Sequence, residues 1–350
     1  MGYEQLPDIL NRALEEKGVV ESLKDINYLP APLTDRNSTS GGYFAYLKIA
    51  EGCDKCCTYC IIPKVRGKYR SVPMENLVAQ ANHLAQGGAR ELILVAQETT
   101  LYGTDLYGTK SLPRLLEELS RVEGIRWIRI LYCYPEEITP ELIQAVKTLP
   151  KVCHYLDIPI QHGGDDILRK MGRKTNQKQL RERIASLRRE IPDIILRTTL
   201  ITGFPRETQE DFLQLKSFVK EMEFDRLGVF PYSQEEDTPA ALMPEQISTK
   251  VKEKRRDEIM QIQQEIAFRK NKSRIGQRFE VMVEGYLPDE GVYIARTYMD
   301  APDVDGYVFV PTDQKLMSGD FIFVRITQAQ GYDLIGEVIE EEEETDEFTK

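Results

Sequence analysis

Between residues 43 and 230, short runs of apolar and β-branched residues alternate with longer segments whose apolar positions recur every three to four residues. The short runs, at residues 43–49, 91–96, 127–132, 155–160, 194–201 and 226–230, read as strands. Segments 74–86, 112–121, 140–149, 177–190 and 208–222 between them read as helices. Alternation of this kind predicts right-handed βαβ units and a parallel sheet. Six strands are too few for a complete eight-stranded barrel, so a partial, open β/α barrel is expected, with its ligands at the carboxyl ends of the strands. A charged helix over 247–274 leads into five β-rich runs, at 278–284, 291–297, 307–310, 320–327 and 334–339. Their spacing suits a small five-stranded antiparallel barrel. Ahead of the first strand a short amphipathic helix is predicted over 6–17, followed by linker-like sequence at 28–32 and 37–42. The resulting division is 1–42 (helix and linker), 43–274 (partial barrel with bridging helix), 275–340 (small barrel) and 341–350 (acidic tail).

Composition changes this picture in one respect. The 350 residues are 41% hydrophobic and 29% charged, which is ordinary globular composition. No apolar run is long enough to span a bilayer, and the N-terminus lacks the pattern of a signal peptide, so a soluble, cytoplasmic protein without membrane partners is expected. The net charge of −11 is unevenly spread. Residues 275–350 hold 18 acidic against 5 basic side chains, whereas residues 1–274 hold 39 against 41. Acidity is thus a C-terminal property. Five consecutive glutamates, Glu340 to Glu344, read as a solvated run.

Cysteine use is equally uneven. Four of six cysteines lie at positions 53, 56, 57 and 60, directly after the first predicted strand. In a long chain of this class such a cluster reads as a metal site. Two abutting C-x2-C pairs leave little room for the separate knuckles that usually close on one zinc ion. The alternative grouping, Cys53, Cys57 and Cys60 as C-x3-C-x2-C, can wrap three corners of a 4Fe-4S cube and leave the fourth iron open. At an open iron, S-adenosylmethionine can chelate through its amino and carboxylate groups and be cleaved by an electron from the cluster. Cys56 is then a non-ligand, and Cys133 and Cys153 are incidental thiols. His83, His154 and His162 lack metal-ligand spacing.

The cysteine cluster and its surroundings resemble the radical S-adenosylmethionine superfamily. Glu51-Gly52-Cys53, Thr58-Tyr59-Cys60-Ile61-Ile62-Pro63, Arg66-Gly67 and Arg70-Ser71 look like its methylthiotransferase branch. So do Val95-Ala96-Gln97-Glu98-Thr99, Gly203-Phe204-Pro205-Arg206-Glu207-Thr208, and Tyr232-Ser233 with Thr238-Pro239-Ala240. The similarity covers residues 43–339, and the C-terminal barrel resembles a TRAM domain. Leu131-Tyr132-Cys133-Tyr134-Pro135, Leu156-Asp157-Ile158-Pro159-Ile160-Gln161-His162 and Asp300-Ala301-Pro302-Asp303-Val304-Asp305-Gly306 are similar to the RimO type, which acts on ribosomal small-subunit protein S-twelve. The acidic barrel agrees with that choice, because a barrel that grips RNA should be basic. It should attract a basic protein, although an acidic surface also serves solubility.

The resemblance implies that a 5′-deoxyadenosyl radical takes hydrogen from the β-carbon of an aspartate, which then receives a methylthio group. An electron donor is implied as a further partner. By the same resemblance Cys53, Cys57 and Cys60 hold the cluster. Tyr59 presents backbone to the adenine, or simply packs. Gln97 and Glu98 meet the methionine amino group, Arg197 holds its carboxylate, and Gln161 faces the nucleoside. Gly203 admits the ribose or makes a tight turn. The family carries a second 4Fe-4S cluster in an N-terminal domain; Cys53 is the first cysteine here, so the chain is expected to be a fragment that holds one cluster. The alternatives are a transfer RNA adenosine methylthiotransferase and, outside the class, a non-catalytic zinc-stabilised binding module.

Overall fold

The computed structural model describes residues 5–15, 19–21, 25–27 and 43–339. The predicted linker at 28–42 and the acidic tail lie outside them. A short helix, α1 (Leu6–Glu15), precedes the first strand, β1 (Phe44–Lys48). A small hairpin of β2 (Ala50–Glu51) and β3 (Arg70–Ser71) brackets the cysteine segment and α2 (Ile62–Arg66). Then follow α3 (Met74–Gln86), β4 (Glu91–Val95), α4 (Thr104–Tyr107), α5 (Leu112–Ser120), β5 (Trp127–Ile130), α6 (Pro140–Thr148) and β6 (Val152–Asp157). The series continues through α7 (Asp165–Lys170), α8 (Gln177–Glu190), β7 (Ile195–Thr202), α9 (Gln209–Met222) and β8 (Arg226–Pro231).

Strands β1, β4, β5, β6, β7 and β8 pair in that order, every pairing parallel, as the six-stranded open barrel predicts. Side chains alternate between the two faces of each strand. Leu92, Leu94, Ile128, Ile130, Leu156, Leu196 and Leu200 enter the core beneath the helices. Their neighbours Glu91, Arg129, Asp157, Arg197 and Thr199 therefore face the concave side. α8 and α9 each begin with a capping box, at Asn176 and Thr208, which satisfies orphan N–H groups at their starts.

The fourth strand of the sheet begins earlier than predicted, at Val152, because the Ile128 amide bonds Lys151 O and pulls this stretch into the sheet. It ends at Asp157, although extended backbone persists: the Gln161 amide bonds Thr199 O, and Gln161 forms a lone bridge with Leu200. Gln161 thus lies beyond the strand rather than at its end. Likewise Gln97 and Glu98 follow β4, which stops at Val95.

α10 (Thr249–Lys272) crosses β8 and leads into β9 (Arg278–Leu287), β10 (Val292–Thr297), β11 (Val308–Pro311), β12 (Phe321–Gln330) and β13 (Asp333–Ile339). These close a barrel in the order β10-β11-β13-β12-β9. Four pairings are antiparallel as expected, but β11 and β13 pair in parallel. Such a pair needs a long crossover, here supplied by β12 and its turns.

The small barrel sits against the amino ends of the large sheet. Trp127, Cys153, Tyr155 and Ile195 share one core with Val281, Met299 and Ala301, and Trp127 meets Phe321 edge to face at 4.9 Å. Charges are buried at the same junction. Glu91 accepts from Arg129 Nε at 2.7 Å and from Arg296 at 2.6 Å, and Arg296 Nε also donates to Glu284 at 2.7 Å. Arg226 pairs with Asp300. Three acids of the small barrel, Glu284, Asp300 and Asp305, are therefore turned inward, so its acidic surface is smaller than its composition suggests. Among the described residues no helix is long and apolar enough to cross a membrane.

Candidate active site

The cysteine segment leaves β1 and lies over the carboxyl ends of the strands. Its path starts at Gly52, whose φ of +82° and close backbone neighbour, Lys68 O, both exclude a side chain. The Gly52 amide donates to Gln97 Oε1 at 2.8 Å, so Gln97 shapes the loop. The Thr58 amide and hydroxyl donate to Met171 O and Lys170 O, and the Ala240 amide donates to Thr58 O. Gly172, at φ +74°, passes beneath Cys56 O where a Cβ would come within 2.9 Å.

This path separates the four thiols. Cys53 and Cys57 are buried and Cys60 is half-buried, whereas Cys56 is exposed and turns its thiol to Asp54 O. Burial, reinforced by the thiols of Cys60, Cys57 and Cys53 and opposed by Arg173, holds the Tyr132 hydroxyl well above its usual range. Burial also pushes the Cys53 thiol up to about 11, reinforced by Glu98, Cys57 and Cys60. Among the described residues, no three His, Cys, Asp or Glu side chains gather closely enough for one metal ion.

Among the described residues, polar atoms without partners are buried beyond the carboxyl ends of the strands. Glu98 accepts from Thr100 N through Oε1 at 2.9 Å, but its Oε2 has no partner. Burial raises its carboxyl to about 7. Gln161 Oε1 is also buried and unpartnered, on a residue held at φ +72°. Tyr132 has a positive φ as well, +63°. Strained backbone and orphaned acceptors concentrated at the carboxyl ends of the strands are features of a ligand site.

The remaining predicted residues fall less simply. Tyr59 packs its ring against the cluster of Phe204, Tyr232 and Ala240, leaving its backbone in the loop. Gly203, at φ +69°, faces Lys252 on its open side, where a Cβ would meet Lys252 Cγ at 2.3 Å. Its amide donates to Glu207 Oε2 at 2.6 Å, and Glu207 pairs with Arg255. Helix packing therefore already accounts for this glycine. Arg197 lies deeper, on the concave face of β7, with NH1 donating to Asp157 at 3.1 Å and Nε 3.7 Å from Asp305.

Two neighbours of the thiols are not legible as such in the sequence. Tyr134 Oη is 3.3 Å from Cys57 Sγ, and Arg173 stacks on the Tyr134 ring at 4.1 Å with NH1 3.9 Å from the same sulfur. They lie 77 and 116 residues from Cys57 in sequence, and no local motif joins them. The histidines carry none of this chemistry. His162 is buried and its Nδ1 accepts from Gly164 N, while His154 pairs with Asp193 at the opposite end of the sheet.

An open parallel barrel carries a loop of four cysteines over its carboxyl ends, and residues 47–219 match the model of the radical SAM superfamily, so the class is that of radical S-adenosylmethionine enzymes. Residues 275–339 match the TRAM domain. The chain belongs to the RimO methylthiotransferase family. It is 59% identical to "Ribosomal protein uS12 methylthiotransferase RimO" of Lachnoclostridium phytofermentans, over 95% of this chain and 76% of that protein. It is 50% identical to the protein of the same name from Caldanaerobacter subterraneus, over 96% of this chain and 76% of that one. Among solved structures it resembles coproporphyrinogen III oxidase (HemN) from Escherichia coli, with a TM-score of 0.49 and 17% identity over 83% of this chain and 70% of that one. The family implies a 4Fe-4S cluster and S-adenosylmethionine as cofactors.

Proposed function

We propose that this chain carries the radical chemistry that adds a methylthio group to the β-carbon of an aspartate in ribosomal protein S-twelve. The observation that carries this reading is the high identity to proteins named for that reaction, which runs through both the open barrel and the small barrel. A cytoplasmic location and a need for an electron donor follow from it.

In this reading Cys53, Cys57 and Cys60 hold one 4Fe-4S cluster, supported by the full or partial burial of these three and the exposure of Cys56. When bound, the cluster and S-adenosylmethionine supply a carbon radical that opens the substrate C–H bond. The chain's own residues do the rest. Glu98, with a free oxygen, accepts from the amino group of S-adenosylmethionine, and Gln161 Oε1 accepts from its nucleoside. Gln97 acts indirectly, by fixing the loop through Gly52. Tyr59 contributes backbone, and Gly203 sets the turn into α9.

The test is mass spectrometry of S-twelve and of bulk transfer RNA from cells lacking the full gene. Loss of the methylthio group from S-twelve alone is the expected result; loss from transfer RNA instead would establish the RNA-modifying alternative. Iron and sulfide analysis after anaerobic reconstitution checks the ligand set. The Cys53, Cys57 and Cys60 triple alanine variant should retain no cluster, while Cys56→Ala retains it.

A further inference from the structure

A cavity of about 460 Å³ opens between the concave face of β7 and β8, the flank of α10 and the loop at residues 304–306. Arg197 of β7 and Arg226, Leu227, Gly228 and Phe230 of β8 line it. At about 3.3 Å per residue, the cavity climbs roughly 13 Å along that strand toward its carboxyl end, where the candidate active site lies. Its volume falls within the range of small-ligand pockets. Val304, Asp305 and Gly306, from the small barrel, border it from the amino-end side.

Arg197 is the charged side chain on this cavity with donors to spare. Arg226 is engaged by Asp300 and by Asp225 O. Among the described residues Arg197 makes one hydrogen bond, to Asp157, and its side chain is 22% exposed. Asp305 Oδ1 stands 3.7 Å from its Nε, beyond hydrogen-bond distance, while Asp305 Oδ2 accepts from Tyr155 Oη and Ala301 N. A guanidinium carries five N–H donors in a planar fork, so most of this fork remains available. Asp157 in turn accepts from Tyr132 N through its other oxygen, which holds Arg197 rigidly below the Tyr132 turn. Near it Gln263 has its side-chain oxygen buried without a partner, an acceptor for a backbone N–H.

The geometry points to Arg197 as the receptor for the side-chain carboxylate of the substrate aspartate, with the cavity taking the segment that bears it. This rests on the protein-modifying reading above and deepens it. A fork fixed by Asp157 on one side and backed by Asp305 presents two parallel donors to a carboxylate, and an asparagine amide at the same place can satisfy only one of them. The small barrel is thereby part of the specificity device: through the loop at residues 304–306 it completes the wall behind Arg197.

The experiment compares S-twelve with a variant in which its modified aspartate is asparagine, each titrated against the anaerobically reconstituted chain with S-adenosylmethionine present. The aspartate form should bind roughly tenfold tighter or more, as sites built to hydrogen-bond a group discriminate. Arg197→Gln should abolish that preference, and Asp305→Asn should reduce it. Should Arg197→Gln melt the chain, Arg197→Lys, which keeps the charge beside Asp157 but loses the fork, must show the lost preference. Equal binding of the two forms by the unaltered chain would overturn the proposal. So would an Arg197 variant whose affinity for S-adenosylmethionine falls as far as its affinity for S-twelve, because that assigns Arg197 to the methionine carboxylate. Failure of the protein-modifying reading itself looks different: neither form of S-twelve would bind better than an unrelated basic protein.

Discussion

Glu98 illustrates how one side chain acquires a role through its surroundings. Burial alone disfavours its charge and lifts the carboxyl to about 7, while Thr100 and Lys55 pull it back only in part. With Oε2 unpartnered, ionised Glu98 can accept as an anion from the N–H of the S-adenosylmethionine amino group, and protonated Glu98 cannot. Affinity for S-adenosylmethionine should therefore rise as pH increases from 6 to 7.5. Equilibrium binding across that interval checks it; Glu98→Gln should bind more weakly and flatten the profile. At this scale the cysteine cluster was legible because its spacing is local. Tyr134 and Arg173 were not, since each reaches Cys57 only after several βα units have folded. Arg197 was legible as a chemically competent residue, but its depth in the sheet was not.

Among the elements, long helices read directly from periodicity: 74–86 and 177–190 coincide with α3 and α8. Helices α2 and α7, of five and six residues, were missed because fewer than two turns show no periodicity. The β2–β3 hairpin was likewise invisible, with two residues a side. Yet that hairpin carries the cysteine loop, and its tightest point is Gly52. A Cβ there would lie 2.2 Å from Lys68 O and 2.6 Å from Gly67 O, both backbone atoms that cannot rotate aside. Gly52→Ala should therefore destabilise the hairpin, by on the order of 3 kcal/mol including the cost of positive φ. Denaturant unfolding together with iron content after reconstitution checks this, and both should fall.

Over the whole molecule, the charges buried between the two barrels decide their relative placement. Arg296 stands between Glu91 of the large sheet and Glu284 of the small barrel, with no side-chain exposure. Both arginine contacts hold the Glu91 carboxyl below its usual range despite complete burial. Arg296→Ala should leave Glu91 with Arg129 alone and Glu284 without its pair, and cost about 3–5 kcal/mol, as breaking a buried pair does. Thermal unfolding checks it, and Glu91→Gln combined with Arg296→Met should recover part of the loss.

The order of strands and helices, the concentration of acidity toward the C-terminus and a loop of clustered cysteines after the first strand were legible in the chain. All of these follow from neighbours in the chain, through periodicity, composition and spacing. Only the tertiary structure decided that the small barrel caps the amino ends of the large sheet, that three of its acids turn inward, and that β11 and β13 pair in parallel. It also brought Asp305 to Arg197 and Arg173 to Cys57. These contacts depend on sheet register and on how two barrels dock, where burial and charge pairing between distant segments outweigh any local preference.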